Sequence, residues 1–156
     1  MKEKIYRAGM IPFHVDENGE IKMKFMVPSD QRFGTGDPQF AKGRIEKNEN
    51  HEEAAMREAQ EEIGLKEDNV NWMYYLGIFL GRTHMYICEV DSKENFDTPH
   101  YETERTHWLT LEEFEEHGRE LHRPVIREAY MTFNVIKEEE SQGLHDDIDD
   151  IEYETE

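Results

Sequence analysis

Glu58, Glu61 and Glu62 stand close together in the run Arg57-Glu58-Ala59-Gln60-Glu61-Glu62-Ile63-Gly64-Leu65. Wound as a helix at 100° per residue, they fall within an arc of roughly 100°. Ala55, Met56, Ala59 and Ile63 occupy the neighbouring arc. One face of such a helix packs, and the adjoining face presents three carboxylates. Like charges at i,i+3 and i,i+4 each cost a helix roughly a few tenths of a kcal/mol, so an ordinary solvated helix intersperses Lys. Here the nearby cation is Arg57, placed to pair with a carboxylate or to fix the preceding loop. A carboxylate cluster beside a packed face is what a hard divalent cation requires. Mg²⁺ takes oxygen ligands and keeps several waters, which leaves room for substrate phosphates. The loop from Gly43 brings a flexible backbone, its carbonyls and Glu49 to the same place.

Glutamate makes up 27 of the 156 residues, so any one pair of these acids could be an accident of composition. The whole pattern is not. Gly43-x5-Glu49-x7-Arg57-Glu58-Ala59-x-Glu61-Glu62-x-Gly64-Leu65 matches the Nudix box at every fixed position. With this composition a chance match is on the order of 10⁻⁵ or less. The chain therefore resembles a Nudix hydrolase, with the box over 43–65 and the family's strand and helix order over most of residues 1–137.

The resemblance implies an α/β fold, the Nudix α/β/α sandwich, with a central mixed sheet, a catalytic loop and helix, and a C-terminal helix. It implies a metal-dependent pyrophosphohydrolase acting on a nucleoside diphosphate linked to another group, with Mg²⁺ or Mn²⁺ as cofactor. The metals would neutralise the diphosphate and acidify a bound water. By resemblance, Glu58 and Glu62 are metal ligands, Glu61 is a ligand or the base, and Gly43 offers its carbonyl to a metal. Arg57 and Glu49 resemble the family's orienting pair. A further acid often comes from a loop ahead of a Trp-bearing strand. Glu102, six residues before Trp108, is the first choice, with Glu104 the alternative.

Phe40-Ala41-Lys42-Gly43-Arg44 is similar to the opening of the box in dinucleoside polyphosphate and diphosphoinositol polyphosphate hydrolases. Lys42 and Arg44 could place charge on a phosphate chain, or could be ordinary solubilising residues. In size and acidity the chain is most similar to small Nudix proteins of large tailed phages, some of which act on ADP-ribose and short dinucleoside polyphosphates. ADP-ribose or a dinucleoside polyphosphate is the expected substrate. Arg7, Arg82 and His84 are further phosphate-contact candidates. Tyr74, Tyr75, Phe79, Tyr86 and Tyr101 could stack a base, but aromatics in strand patterns are expected in the core.

The elements that must position these residues are legible around them. Residues 51–63 read as a helix, capped by Asn50 and ended by Gly64. Residues 4–15 and 21–27 read as a hairpin about Asp16-Glu17-Asn18-Gly19-Glu20, with Pro12 expected at an edge or bulge and Lys22, Lys24 and Met26 on the alternate face. Pro28 to Pro38 reads as a surface loop. Trp72–Leu80, Thr83–Val90 and Thr106–Leu109 are strand candidates. Thr110 caps a helix to about His117, and Pro124 opens a longer one with an apolar stripe from Val125 to Ile136. His117 and His122, near helix ends, are expected to be structural.

Charge bounds the partners. Asp and Glu number 37 against 18 Lys and Arg, a formal net charge of −19, which argues against a broad phosphate-backbone interface. Ten acids and no base lie in 138–156, which reads as an acidic, disordered tail outside a 1–137 hydrolase domain. The run Asp146-Asp147-Ile148-Asp149-Asp150 lacks the Gly and the twelfth-position Glu of a calcium loop. A single cysteine, Cys88, allows no intrachain disulfide and reads as a small buried hydrophobe. With no signal-peptide core and no apolar run of membrane-spanning length, a cytoplasmic protein without a membrane partner is expected. The expected partner is a small-molecule nucleotide, with a capped RNA end and a homodimer as further candidates. Two rival functions carry different chemistry: hydrolysis of an RNA 5′ cap or 5′ polyphosphate by the same site, and a non-catalytic nucleotide-binding domain. Such non-catalytic domains usually lose box acids, and this chain keeps them all.

Overall fold

The centre of the sheet is β1 (Arg7–Val15), which pairs with three other strands. The computed structural model describes residues 4–30, 32 and 36–154, with side chains described as far as residue 143. Part of the expected 28–38 loop lies outside the described residues. β2 (Ile21–Pro28) returns antiparallel to β1, and β6 (Thr103–Leu109) extends the sheet beyond β2. On the other side β5 (Thr83–Val90) runs parallel to β1, and β4 (Val70–Phe79) forms the far edge. The order is β4-β5-β1-β2-β6, and β3 (Ala41–Arg44) pairs antiparallel with β1 from Arg7 to Met10.

One helix lies on one face and two on the other, so the α/β/α sandwich expected from the resemblance is the observed fold. α1 (His51–Ile63) buries Ala54, Ala55, Ala59 and Ile63 against Ala8, Met10, Ala41 and Cys88. α2 (Leu111–His117) and α3 (Arg123–Glu154) cover the opposite face. There Phe133 stacks on Phe13 at 4.2 Å and Phe114 on Phe25 at 4.3 Å between ring centroids. Burial of such side chains stabilises a fold by about 1.5–3 kcal/mol each.

Four details differ from the sequence reading. Pro12 sits in the central strand rather than at an edge. It stands where β1 changes partner along one side, from β3, which ends at Met10, to β2, which begins at Phe13, so the ladder is already interrupted there. Gly43 lies in a strand rather than a flexible loop, because β3 is held by long-range pairing that four residues cannot signal. Lys24 and Met26, on the alternate face of β2, are buried as well, 7% and 4% exposed, so both faces of the strand are covered at these positions. Finally, the backbone beyond Lys137 continues as helix to Glu154 where a disordered tail was expected. Glu-rich sequence favours helix once the first turns of α3 supply the nucleus, and Lys137, near the middle of α3, ties it to the sheet through Glu89 at 2.9 Å. The side chains of the 146–150 acidic run lie outside the described residues. Among the described residues no helix is long and apolar enough to cross a membrane.

Candidate active site

The first requirement of the site is a rigid carboxylate-bearing helix, and α1 is fixed at both ends. Asn50 Oδ1 accepts from the Glu53 amide at 2.7 Å while Glu53 Oε1 accepts from the Asn50 amide at 3.0 Å. This reciprocal cap satisfies two orphan donors. At the other end Gly64 takes φ of 70°, and a side chain there would strike the Asp97 carbonyl. That carbonyl belongs to a segment strapped to the last turn. Asp97 N–H donates to Gly64 O at 2.7 Å, His100 N–H to Glu61 O at 2.8 Å, and the Thr103 hydroxyl to Glu62 O at 2.6 Å.

Arg57 organises the acids. Its Nε and Nη2 grip Glu49 at 2.7 and 3.0 Å, a bidentate fork, and Nη2 also donates to the Arg44 carbonyl at 2.9 Å. Nη1 donates to Glu58 at 2.9 Å and reaches Glu61 at 3.4 Å. Glu49 is completed by the Glu46 amide at 2.9 Å, and the Arg57 bond holds its carboxyl below the usual carboxylate range. The helix, the loop before it and the end of β3 are thereby locked around one guanidinium.

Glu58 and Glu62 experience the opposite pressure. Burial raises both, and their mutual repulsion adds to it at Glu62, which is pushed up to about 8, with Glu102 contributing last. The Lys42 amide donates to Glu62 at 3.1 Å and partly offsets this. Gly43 lies directly beneath Glu58, and a β-carbon there would collide with the carboxylate. Among the described residues no three His, Cys, Asp or Glu side chains already close around one point. The donors nonetheless fit a hard cation: the buried carboxylate of Glu58 and the half-buried one of Glu62, which it repels, Glu61 beside them, and strand backbone at Gly43 brought against Glu58.

These groups open onto a cleft of about 510 Å³. Glu58, Glu61, Glu62 and Glu102 line it together with Arg7, Lys42 and Arg44. Arg7 and Arg44 are cross-strand partners in the β1–β3 ladder. Glu104 is not among the lining residues and pairs instead with Arg105. Gly43, Arg57, Glu58, Glu61 and Glu62 of the box thus line one cleft, Glu49 is held behind them by Arg57, and Glu102 joins them from a separate segment. The cleft also holds Glu46 and Gln39, which the sequence reading passed over because only the fold brings them in.

Other candidates fall elsewhere. Arg82 and His84 do not line the cleft. His84 stacks on His51 at 4.1 Å, and its Nδ1 meets the Tyr75 hydroxyl at 2.8 Å. Tyr86 is buried as expected, and Phe79 packs partly buried against the α3-side core, but Tyr74, Tyr75 and Tyr101 are exposed, since β4 is an edge strand and Tyr101 lies in a turn. Cys88 and His122 are fully buried, in keeping with structural roles.

The fold has parallels in known structures. A C. elegans Ap4A hydrolase, solved as a binary complex, superposes with a TM-score of 0.66 at 15% identity, covering 82% of this chain and 98% of that one. A Nudix hydrolase from M. smegmatis, RenU, gives 0.64 at 18% identity, covering 81% and 86%. The NUDIX domain of Shewanella oneidensis NrtR, complexed with ADP ribose, gives 0.63 at 13% identity, covering 85% and 90%. At these identities the likeness is one of fold. No curated protein matches the sequence. The family model of the NUDIX domain matches residues 13–129, most of the chain and the whole of the site helix, and the chain belongs to the Nudix family of hydrolases.

Proposed function

We propose that this hydrolase is a divalent-metal-dependent pyrophosphohydrolase that cleaves a nucleoside diphosphate linked to another group, either ADP-ribose or a dinucleoside polyphosphate. The observation that carries the reading is the mixed lining of one cleft, where Glu58, Glu61, Glu62 and Glu102 meet Arg7, Lys42 and Arg44. Acids alone would repel a phosphate chain, and cations alone would bind it without turning it over. An Ap4A hydrolase and an ADP-ribose complex among the fold relatives support the substrate class, since Ap4A and ADP-ribose both carry a phosphoanhydride.

In this reading Glu58, Glu62 and the Gly43 carbonyl, with Glu61, would hold Mg²⁺ or Mn²⁺. Bound there, the ion supplies charge neutralisation and a more acidic water. The chain's own residues do the rest. Lys42, Arg44 and Arg7 bind the phosphate oxygens and orient the chain for in-line attack. Arg57 and Glu49 keep the helix face aimed at the cleft. Water oxygen forms the new bond to phosphorus, the bridging oxygen leaves with the other phosphate, and a carboxylate of Glu102 or Glu61 takes the water proton. Residues 1–137 form the hydrolase domain in this scheme, and the acidic helix beyond them takes no part.

The test is a substrate panel with Mg²⁺ and with Mn²⁺: ADP-ribose, diadenosine polyphosphates, NADH, nucleoside triphosphates and capped RNA. The reading expects metal-dependent release of a nucleoside monophosphate from ADP-ribose or of nucleotides from a dinucleoside polyphosphate. Turnover confined to capped RNA would replace it with the decapping function, and turnover of none would leave a binding domain.

A further inference from the structure

Lys24 is a buried cation that the proposed chemistry does not use. It lies on β2, 7% exposed, and no hydrogen bond or ion pair holds its ammonium among the described residues. A buried charge without a partner is costly. The compensation comes from rings. Nζ lies 3.6 Å from the centroid of Phe96 and 5.5 Å from that of Trp108, its cross-strand neighbour. The two rings meet edge to face at 5.6 Å, so the ammonium occupies a two-walled aromatic corner. Burial nevertheless lowers its pKa to about 8.

A solubilising lysine would not be placed here, and a purely packing role would be met by Met or Leu. The position of Phe96 supplies a different reason. Phe96 belongs to the segment between β5 and β6 that delivers Glu102 to the cleft. That segment is tied to α1 by the Asp97 and His100 amides and the Thr103 hydroxyl, the last two on the carbonyls of Glu61 and Glu62. Near its end the Glu102 carbonyl accepts from the Ser29 amide at 2.9 Å. Phe96 stands just ahead of these ties, after the Asn95 carbonyl that accepts from Asn69 Nδ2 at 3.0 Å, and its ring packs on Lys24, Trp108 and the α1-side core.

We propose that Lys24 is a positioning residue for the hydrolysis. Its ammonium clamps Phe96, fixes the 94–103 segment, and so sets where the Glu102 carboxylate stands relative to the helix acids. The inference rests on the pyrophosphohydrolase reading and on Glu102 acting in the cleft. A displacement of about 1 Å at such a group changes turnover by as much as roughly a hundredfold, while substrate contacts at Arg7, Lys42 and Arg44 are untouched. Lys24 therefore acts on kcat and not on KM.

The experiment compares Lys24→Met, Lys24→Arg and Phe96→Leu, each also in a Glu102→Gln background. Turnover at saturating metal is read beside amide hydrogen exchange at Asp97 and His100. Expected are a fall in kcat of roughly tenfold for Lys24→Met and Phe96→Leu, KM within twofold, and recovery by Lys24→Arg. Exchange at the two amides should accelerate in step. In the Glu102→Gln background Lys24→Met should add little. Equal losses in both backgrounds, unchanged exchange, or a lowered melting temperature with kcat intact would each overturn the proposal, as would a neutral Glu102→Gln. If Lys24→Met fails to fold, Phe96→Leu decides the same question. Failure of the functional reading looks different: the parent protein turns over no phosphoanhydride, while the exchange measurement still reports on the clamp.

Discussion

The β-carbon that Gly43 lacks would stand where the Glu58 carboxylate lies. A strand residue and a helix residue are thus packed so closely that only glycine fits, and the contact seats the Glu58 carboxylate against the backbone of β3. Gly43→Ala must displace Glu58, the movable partner. We expect the variant to fold, because the conflict is with the end of a flexible side chain, and to lose roughly a hundredfold in turnover. Circular dichroism and initial rates check the two halves separately. Near-wild-type turnover would mean that the Gly43–Glu58 contact serves packing alone.

Arg57 makes five hydrogen bonds across Glu49, Glu58, Glu61 and the Arg44 carbonyl. Lysine cannot reproduce a fork that reaches four groups. Arg57→Lys should lower turnover at least tenfold, on the order of losing one aligned positioning group, and lower stability by about 1 kcal/mol. The pairs are partly exposed, so the stability loss is kept small. Steady-state kinetics and urea unfolding read these effects, and a Lys variant equal to the parent in both would remove Arg57 from the organising role.

Glu102 lines the cleft and Glu104 pairs with Arg105 outside it. Glu102→Gln should lower turnover by roughly 10²–10⁴ while leaving metal affinity nearly intact, since the helix acids remain. Glu104→Gln should be close to neutral. Metal titration and kcat on both variants decide the assignment. The reverse pattern would move the loop acid to Glu104, and two neutral variants would leave the base to Glu61.

His122 is fully buried, stacked on Phe40 at 3.8 Å, and burial with Lys42 and Arg119 nearby lowers its pKa to about 2. The folded state keeps it neutral while the unfolded chain binds a proton below its ordinary value near 6.5. The unfolded state therefore holds more protons as pH falls from about 6.5, and stability declines in that direction. The contribution between pH 7 and pH 5.5 is about 1 kcal/mol. His122→Phe keeps a ring on Phe40 and removes the titration, so its stability should vary less over that window by about this amount. Denaturant midpoints at the two pH values measure it, and identical pH slopes in parent and variant would refute it.

What the sequence showed and what it hid divide along the range of the interactions. The α1 caps, Gly64 and the Glu58–Glu62 face rest on contacts a few residues apart, and all were legible. Glu102 was a candidate only through the family resemblance, with Glu104 as its alternative, and its place in the cleft lining depends on the fold. β3 was missed because its four residues are strand only by virtue of β1. Alternation places Lys24 on the face opposite Met23 and Phe25, and it is buried there because Phe96, from a remote segment, lies over it. Arg7 acquires its meaning from Arg44, thirty-seven residues away, through the β1–β3 register.

The central claim is that the α1 carboxylates hold a metal that drives phosphoanhydride hydrolysis. Its most direct measure is initial rate against Mg²⁺ or Mn²⁺ concentration for the parent protein and Glu62→Gln, on the best substrate of the panel. The account predicts no turnover without divalent metal, saturation in the parent, and in Glu62→Gln a curve shifted to higher metal with a maximal rate lower by roughly 10²–10⁴. Metal-independent turnover, or superimposable curves for the two proteins, would contradict it.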